Sequence, residues 1–141
     1  MEYNSAFFGL YQNLFLVLES ELGRSRAIEL FGKIMVMGLK KAYDASSFSR
    51  GNPEDFARVV GARDNSVGLR VEFPIVENRR IVYQFWTDPF PGLKGKIEPE
   101  ELDATYMQFK VSYLLGDNWY YKTTKHIWHG NDCTEHVIEE K

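Results

Sequence analysis

Cysteine is nearly absent from this chain and histidine is scarce, yet the two occur together. The single cysteine and all three histidines fall within the eleven residues from His126 to His136. One cysteine excludes an internal disulfide framework and fits a reducing, cytoplasmic setting. Long apolar runs are also missing. The longest near the N-terminus is Leu14 to Leu18, and the opening Met1-Glu2-Tyr3-Asn4 has no basic region. Neither a secretory signal nor a membrane span is therefore expected. Charge of one sign is not in excess: the net charge is −3, and Lys40-Lys41 and Arg79-Arg80 are isolated pairs. Without a basic face, nucleic acid is not an expected partner. Gly92-x2-Gly95 follows two prolines and opens no strand-to-helix turn, so no nucleotide cofactor is expected. No serine sits in a G-x-S-x-G elbow.

What remains is a chain of 141 residues, 44% apolar and 15% aromatic. That is enough to build one domain, residues 1–141, around a real core. The rings suit that core, and also the wall of a pocket for a small organic ligand.

Helical spacing dominates the first third. Phe7, Leu10, Leu14, Val17, Leu18 and Leu22 form one stripe. Gly23 breaks it, and Ile28, Phe31, Met35, Leu39 and Ala42 form a second, fading near Asp44 to Ser47. Gly32 and Gly38 inside that helix point to close helix packing, within the chain or across a dimer interface. Asn52-Pro53-Glu54-Asp55 combines a capping Asn, Pro at the first helical position and carboxylates at the positive end of the dipole. From Val67 the period changes to two: Val67, Leu69, Val71 and Phe73 read as a half-buried strand. Glu77-Asn78-Arg79 reads as a turn, and Ile81, Tyr83 and Phe85 as the returning strand. Asp88-Pro89-Phe90-Pro91-Gly92 ends it. Pro99-Glu100-Glu101 starts a further helix, whose carboxylates suit its dipole, with Leu102, Tyr106, Phe109 and Tyr113 on one face. Gly116-Asp117-Asn118 stops that helix, and a last hairpin follows. The expected fold is α+β, with N-terminal helices packed on one face of a four-stranded antiparallel sheet.

The histidine–cysteine cluster falls on that last hairpin. A tight turn with His129 opposite Asp132 pairs Trp128 with Cys133 and His126 with Glu135. His126 and Cys133 then share a face and His136 points to the other, although a slip of one residue reverses a strand's faces. The spacing lacks the paired ligands of a zinc site, so no metal is expected. His129 and His136 read as surface imidazoles beside a buried thiol. His126 with Cys133 is the pair with chemical potential: a thiol nucleophile needs a base, and the base an orienting carboxylate. Glu135 or Asp88 suits that third role. Asp88, between Trp86 and Phe90 at a strand end, reads either as a turn cap or as a carboxylate at the edge of an aromatic pocket.

The order of elements resembles the family named for L-2-amino-thiazoline-4-carboxylic acid hydrolase. The resemblance rests on Asn52-Pro53-Glu54-Asp55-Phe56-Ala57, Thr87-Asp88-Pro89-Phe90 and Gly130-Asn131-Asp132-Cys133. Many members of that family have Cys-Pro where this chain has Asp88-Pro89, so one of two recurrent thiols is missing. The shape is also similar to 4-vinyl reductase-type domains, which hold hydrophobic small molecules. The resemblance implies a hydrolase of a cyclic amidine or thiazoline C–N bond, without a cofactor. In it Cys133 is nucleophile or polar pocket group, His126 base and Asp88 acid or substrate anchor, while Trp86, Tyr106 and Trp128 supply ring contacts. The missing thiol favours the alternative, a non-catalytic, homodimeric module for a small hydrophobic ligand.

Overall fold

In a computed structural model the structure describes residues 2–141. Among these, four α-helices and four strands follow one another: α1 (Ser5–Leu22), α2 (Arg24–Asp44), α3 (Pro53–Ser66), β1 (Val71–Glu77), β2 (Arg80–Phe85), α4 (Pro99–Leu114), β3 (Trp119–Lys125) and β4 (Thr134–Glu140). Short 3₁₀ turns cover Pro91–Leu93 and Ile127–His129. The fold is α+β, as the residue pattern implies. No helix among the described residues is long and apolar enough to cross a membrane.

The caps explain where the helices begin and end. Asn4 Oδ1 accepts from Phe7 N–H at the start of α1, and Asn52 Oδ1 from Asp55 N–H at the start of α3. Gly23, at φ +83, closes α1 through its own N–H to Glu19 C=O and lets α2 start at once. Of the two readings for the α2 glycines, packing within the chain is observed. Gly32 lies against Thr105 of α4, and Gly38 against the Tyr11 hydroxyl of α1.

The sheet runs β1-β2-β4-β3, every pair antiparallel. Two hairpins therefore meet through their second strands, and α4 carries the chain from β2 across to β3. On the covered face Ile81 pairs with Ile138, Tyr83 with His136 and Phe85 with Thr134, all six buried. The opposite face carries Glu135 between Gln84 and Thr124, and Lys122 beside Glu139. That alternation is what a sheet covered on one side requires.

One strand start differs from the sequence reading. Val67 and Leu69 alternate as strand residues do, but they belong to the turn that ends α3. Gly68 N–H donates to Asn65 C=O, Leu69 N–H to Asp64 C=O, and Asn65 Oδ1 accepts from Val71 N–H. These bonds hold the backbone in the helix exit until Val71, so Val67 and Leu69 plug the core from a loop. Gly68, at φ +87, also lies so close to the Glu2 and Tyr3 backbone that a Cβ would overlap it.

Gly68→Ala should therefore cost at least about 2 kcal/mol, through both the left-handed backbone and the overlap. Gly9→Ala, in the middle of α1 with open space around it, should instead add about 0.5–1 kcal/mol. Urea unfolding of both variants checks the contrast.

Candidate functional site

The face that α4 turns toward the sheet is polar where an apolar stripe is the rule. Asp103, Tyr106 and Lys110 stand three and seven residues apart, which places them on one side of the helix, and all three are buried. Lys110 Nζ lies 3.1 Å from Asp64 Oδ2 of α3 and 3.0 Å from the Tyr83 hydroxyl of β2. The Tyr83 hydroxyl donates to the same Asp64 oxygen. The result is a closed triangle of ammonium, carboxylate and phenol inside the core. Burial lowers the Lys110 pKa in spite of Asp64, and raises those of Tyr83 and Tyr106 well above the phenol range. Both phenols therefore stay protonated and serve as donors.

At the other end of the stripe the Tyr106 hydroxyl donates to Asp103 Oδ1 at 2.8 Å. His126 Nε2 comes within 3.3 Å of Asp103 Oδ2. That approach is off the line a hydrogen bond needs, so Oδ2 is buried without a donor. The imidazole itself is fixed from its other side: Nδ1 accepts from Trp128 N–H at 3.0 Å, which puts a neutral ring's proton on Nε2. His136 completes the cluster from β4. Its Nδ1 meets the Thr123 hydroxyl at 2.9 Å, and its Nε2 has no partner. Burial pushes its pKa down to about 4, against the pull of Asp103.

The stripe borders two spaces. At the Lys110 end, rings of α1 and of the segment after β2 (Phe7, Phe8, Tyr11, Phe90) enclose a cavity of about 30 Å³ that also touches Tyr83 and Tyr106. At the Asp103 end, β3 and the turn after it border an open cleft of about 350 Å³.

The residues singled out by sequence do not gather in one of these spaces. Tyr106 lines the aromatic cavity, and His126 the cleft. Asp88 is committed to structure: Oδ1 accepts from Phe90 N–H at 2.9 Å, as a turn cap does, and Oδ2 from the Trp128 indole at 2.7 Å. Trp128 thus pins the last hairpin to the end of β2. Trp86 is about one-third exposed. Cys133 is buried, burial pushes its thiol pKa up, and the charges around it are Lys125, Glu135, Asp132 and Glu72. It precedes Thr134 in β4 and so lies on the opposite side of the strand from His136, whereas His126 reaches inward to α4.

The face assignment of the hairpin is reversed relative to the tight-turn reading. The 3₁₀ turn and a register shift between Thr123 and Lys125 replace the tight turn, so Lys125, not His126, stands opposite Glu135. His136 is fully buried, where a surface imidazole was expected. No protein-family model, curated protein or solved structure matches the chain. Among the described residues, no three His, Cys, Asp or Glu side chains are placed to hold a metal ion.

Asp64, Tyr83, Asp103 and Lys110 were not singled out by sequence as site residues, and His136 was read as a surface imidazole. A signal was present in α4. Asp103 and Lys110 share the helical face of Tyr106, and two opposite charges on an otherwise core-facing stripe mark a buried polar site.

Two expectations follow from these burials. Lys110→Met leaves the Asp64 carboxylate buried without its cation and should cost about 3–5 kcal/mol. Adding Asp64→Leu should recover much of that loss, so the double variant should fall well short of the sum in a denaturation cycle. For His136, the unfolded ring takes up its proton near pH 6.5 and the folded one only at about 4. Stability should therefore be unaffected by this group at neutral pH and fall as pH drops from about 6.5 to about 4, by on the order of 3 kcal/mol. His136→Phe should remove that part of the acid slope in unfolding curves taken across this range.

Proposed function

We propose that the protein binds a small, largely apolar molecule between its helices and its sheet, with one polar group of the ligand held by Lys110. The observation that carries this reading is a buried ammonium on the wall of an aromatic cavity. Asp64 and Tyr83 occupy two directions around Nζ, and an ammonium has three donors. The third is available to a hydroxyl, carbonyl or carboxylate oxygen in the cavity. Phe8, Phe90 and Tyr106, all buried, offer ring faces and edges to the apolar part. Cavities of this composition, mostly apolar with a few convergent polar groups, are the usual form of a small-molecule site.

The cavity is smaller than a typical ligand, so binding requires its rim to give way. Phe7, Tyr11 and Met35 are half-buried there and form the part of the rim that must move. The binding reading is favoured over ring hydrolysis by the positions of the three residues proposed for that chemistry. Both Asp88 oxygens are already engaged, and the protonated Cys133 thiol lies on the far side of the sheet from the polar stripe.

A thermal-shift panel of aromatic alcohols, aromatic carboxylates and medium-chain fatty acids tests the proposal. A ligand at 100 times its dissociation constant should add about 2.7 kcal/mol. Met35→Trp, which fills the rim without touching the polar cluster, should abolish the shift. A panel with no stabilising member, or undiminished binding by Met35→Trp, would end this reading.

A further inference from the structure

The outer side of the α1–α2 hairpin lies away from the polar stripe. We propose that a second copy of the chain docks on this face, so that two hairpins form a four-helix bundle about a two-fold axis parallel to the helices. No charged residue occurs from Ser5 to Leu18 of α1, and a helix apolar on every side is normally covered on every side. Here the outward side is left in solvent. Of the six large apolar side chains exposed among the described residues, four lie on this hairpin: Leu10 at 70%, Val17 at 59%, Leu22 at 51% and Met37 at 73%. Three of them belong to two regular stripes. Leu10, Leu14 and Val17 recur along α1, and Leu30, Ile34 and Met37 along α2, at the steps of three and four that keep residues on one helical face. The Tyr11 hydroxyl lies against Gly38, and Gly23 alone joins the two helices. Leu10 is therefore level with Met37, Leu14 with Ile34 and Val17 with Leu30.

Size and charge both point to a second copy. The two helices have 18 and 21 residues. At their standard rise and packing distance, their joint outer face measures roughly 27 by 20 Å, or about 1,000 Å² for two copies, the size that a stable interface needs. A two-fold axis along the helices rests each α1 on the α2 of the other copy at the same height, and makes all neighbouring helices antiparallel. Leu10 then meets Met37, and Val17 meets Leu30. The charges at the hairpin turn agree with that arrangement. Near its end α1 carries Glu21, which has no ion-pair partner among the described residues, and α2 opens with Arg24 and Arg26. The two-fold brings Glu21 of each copy beside Arg26 of the other. A lipid surface suits this face less well. Helices that lie on membranes carry Lys and Arg along their polar side. The only charges of α1 are Glu19 and Glu21, and the α2 bases Arg26, Lys33 and Lys40 are already matched by Glu29 and Asp44.

Light scattering behind a sizing column, on the full chain at micromolar concentration and above, should give twice the 16.4 kDa of one chain. Leu10→Glu and Val17→Glu, both at exposed positions, should each reduce the mass to that of one chain while the helical circular-dichroism signal is kept. Tyr120→Glu, exposed on β3 away from the hairpin, should leave the dimer intact. In sedimentation equilibrium, Glu21→Arg and Arg26→Glu should each weaken the dimer at least about threefold, and the two together should restore it. A single-chain mass at every concentration would overturn the proposal. So would a dimer that survives both glutamate variants of α1, or a double charge variant no tighter than the single ones. A monomer that instead binds vesicles of phosphatidylcholine and phosphatidylglycerol would assign the face to lipid and overturn it as well. The mass is read without ligand, so this result stands or falls separately from the thermal-shift panel.

Discussion

The buried contact of Lys110 with Asp64 and Tyr83 is the constraint around which the rest is arranged. Taking an ammonium and a carboxylate out of water costs several kcal/mol for each ion, and their attraction offsets that only with good geometry and further hydrogen bonds. Here the Tyr83 hydroxyl bridges the two and ties together α3, α4 and β2. Apolar side chains of similar volume would satisfy the same core at least as well. A fold that keeps this triangle therefore carries it at some expense to stability, and groups of that kind concentrate at functional sites.

The rest of the polar stripe follows from the first contact. Once Lys110 faces the sheet, the helical repeat brings Tyr106 and Asp103 to the same side, and the strand register brings His136 beside Tyr83. The two ends then differ in character. The Lys110 end is enclosed by rings and offers a donor. The Asp103 end borders an open cleft, with the carboxylate itself buried between the Tyr106 hydroxyl and the His126 ring. One helix thus borders two different spaces, and the pairing of Lys110 with Asp64 at one end keeps the stripe from bearing a large net charge.

Much of the fold was legible in the sequence. Asn52-Pro53, Gly23, the Glu77-Asn78-Arg79 turn and Gly116-Asp117-Asn118 act locally, through caps and left-handed backbone, and local rules read them. Val67 and Leu69 misled because a buried loop next to a helix end can alternate like a strand. Asn65, which bonds across to Val71, decides the matter, and side-chain capping of that kind leaves no periodic trace. The site was less legible. The histidine–cysteine cluster drew attention because its residues are close in sequence, but the hairpin register and the 3₁₀ turn at Ile127–His129 send its members to different surroundings. Asp64, Tyr83 and Lys110 lie far apart in sequence and meet only because α3 and α4 pack on the same sheet. No spacing rule links residues separated in that way, whereas the Asp103–Tyr106–Lys110 repeat within one helix was open to inspection.

The most direct measurement follows the Lys110 side chain itself, through its ε-methylene resonances, during titration with the best ligand of the apolar panel. If the α4 stripe forms the binding floor, those resonances move in step with occupancy while the lysines exposed on the surface stay fixed. A ligand that saturates the protein and leaves Lys110 unmoved would contradict the central role given to this buried ammonium.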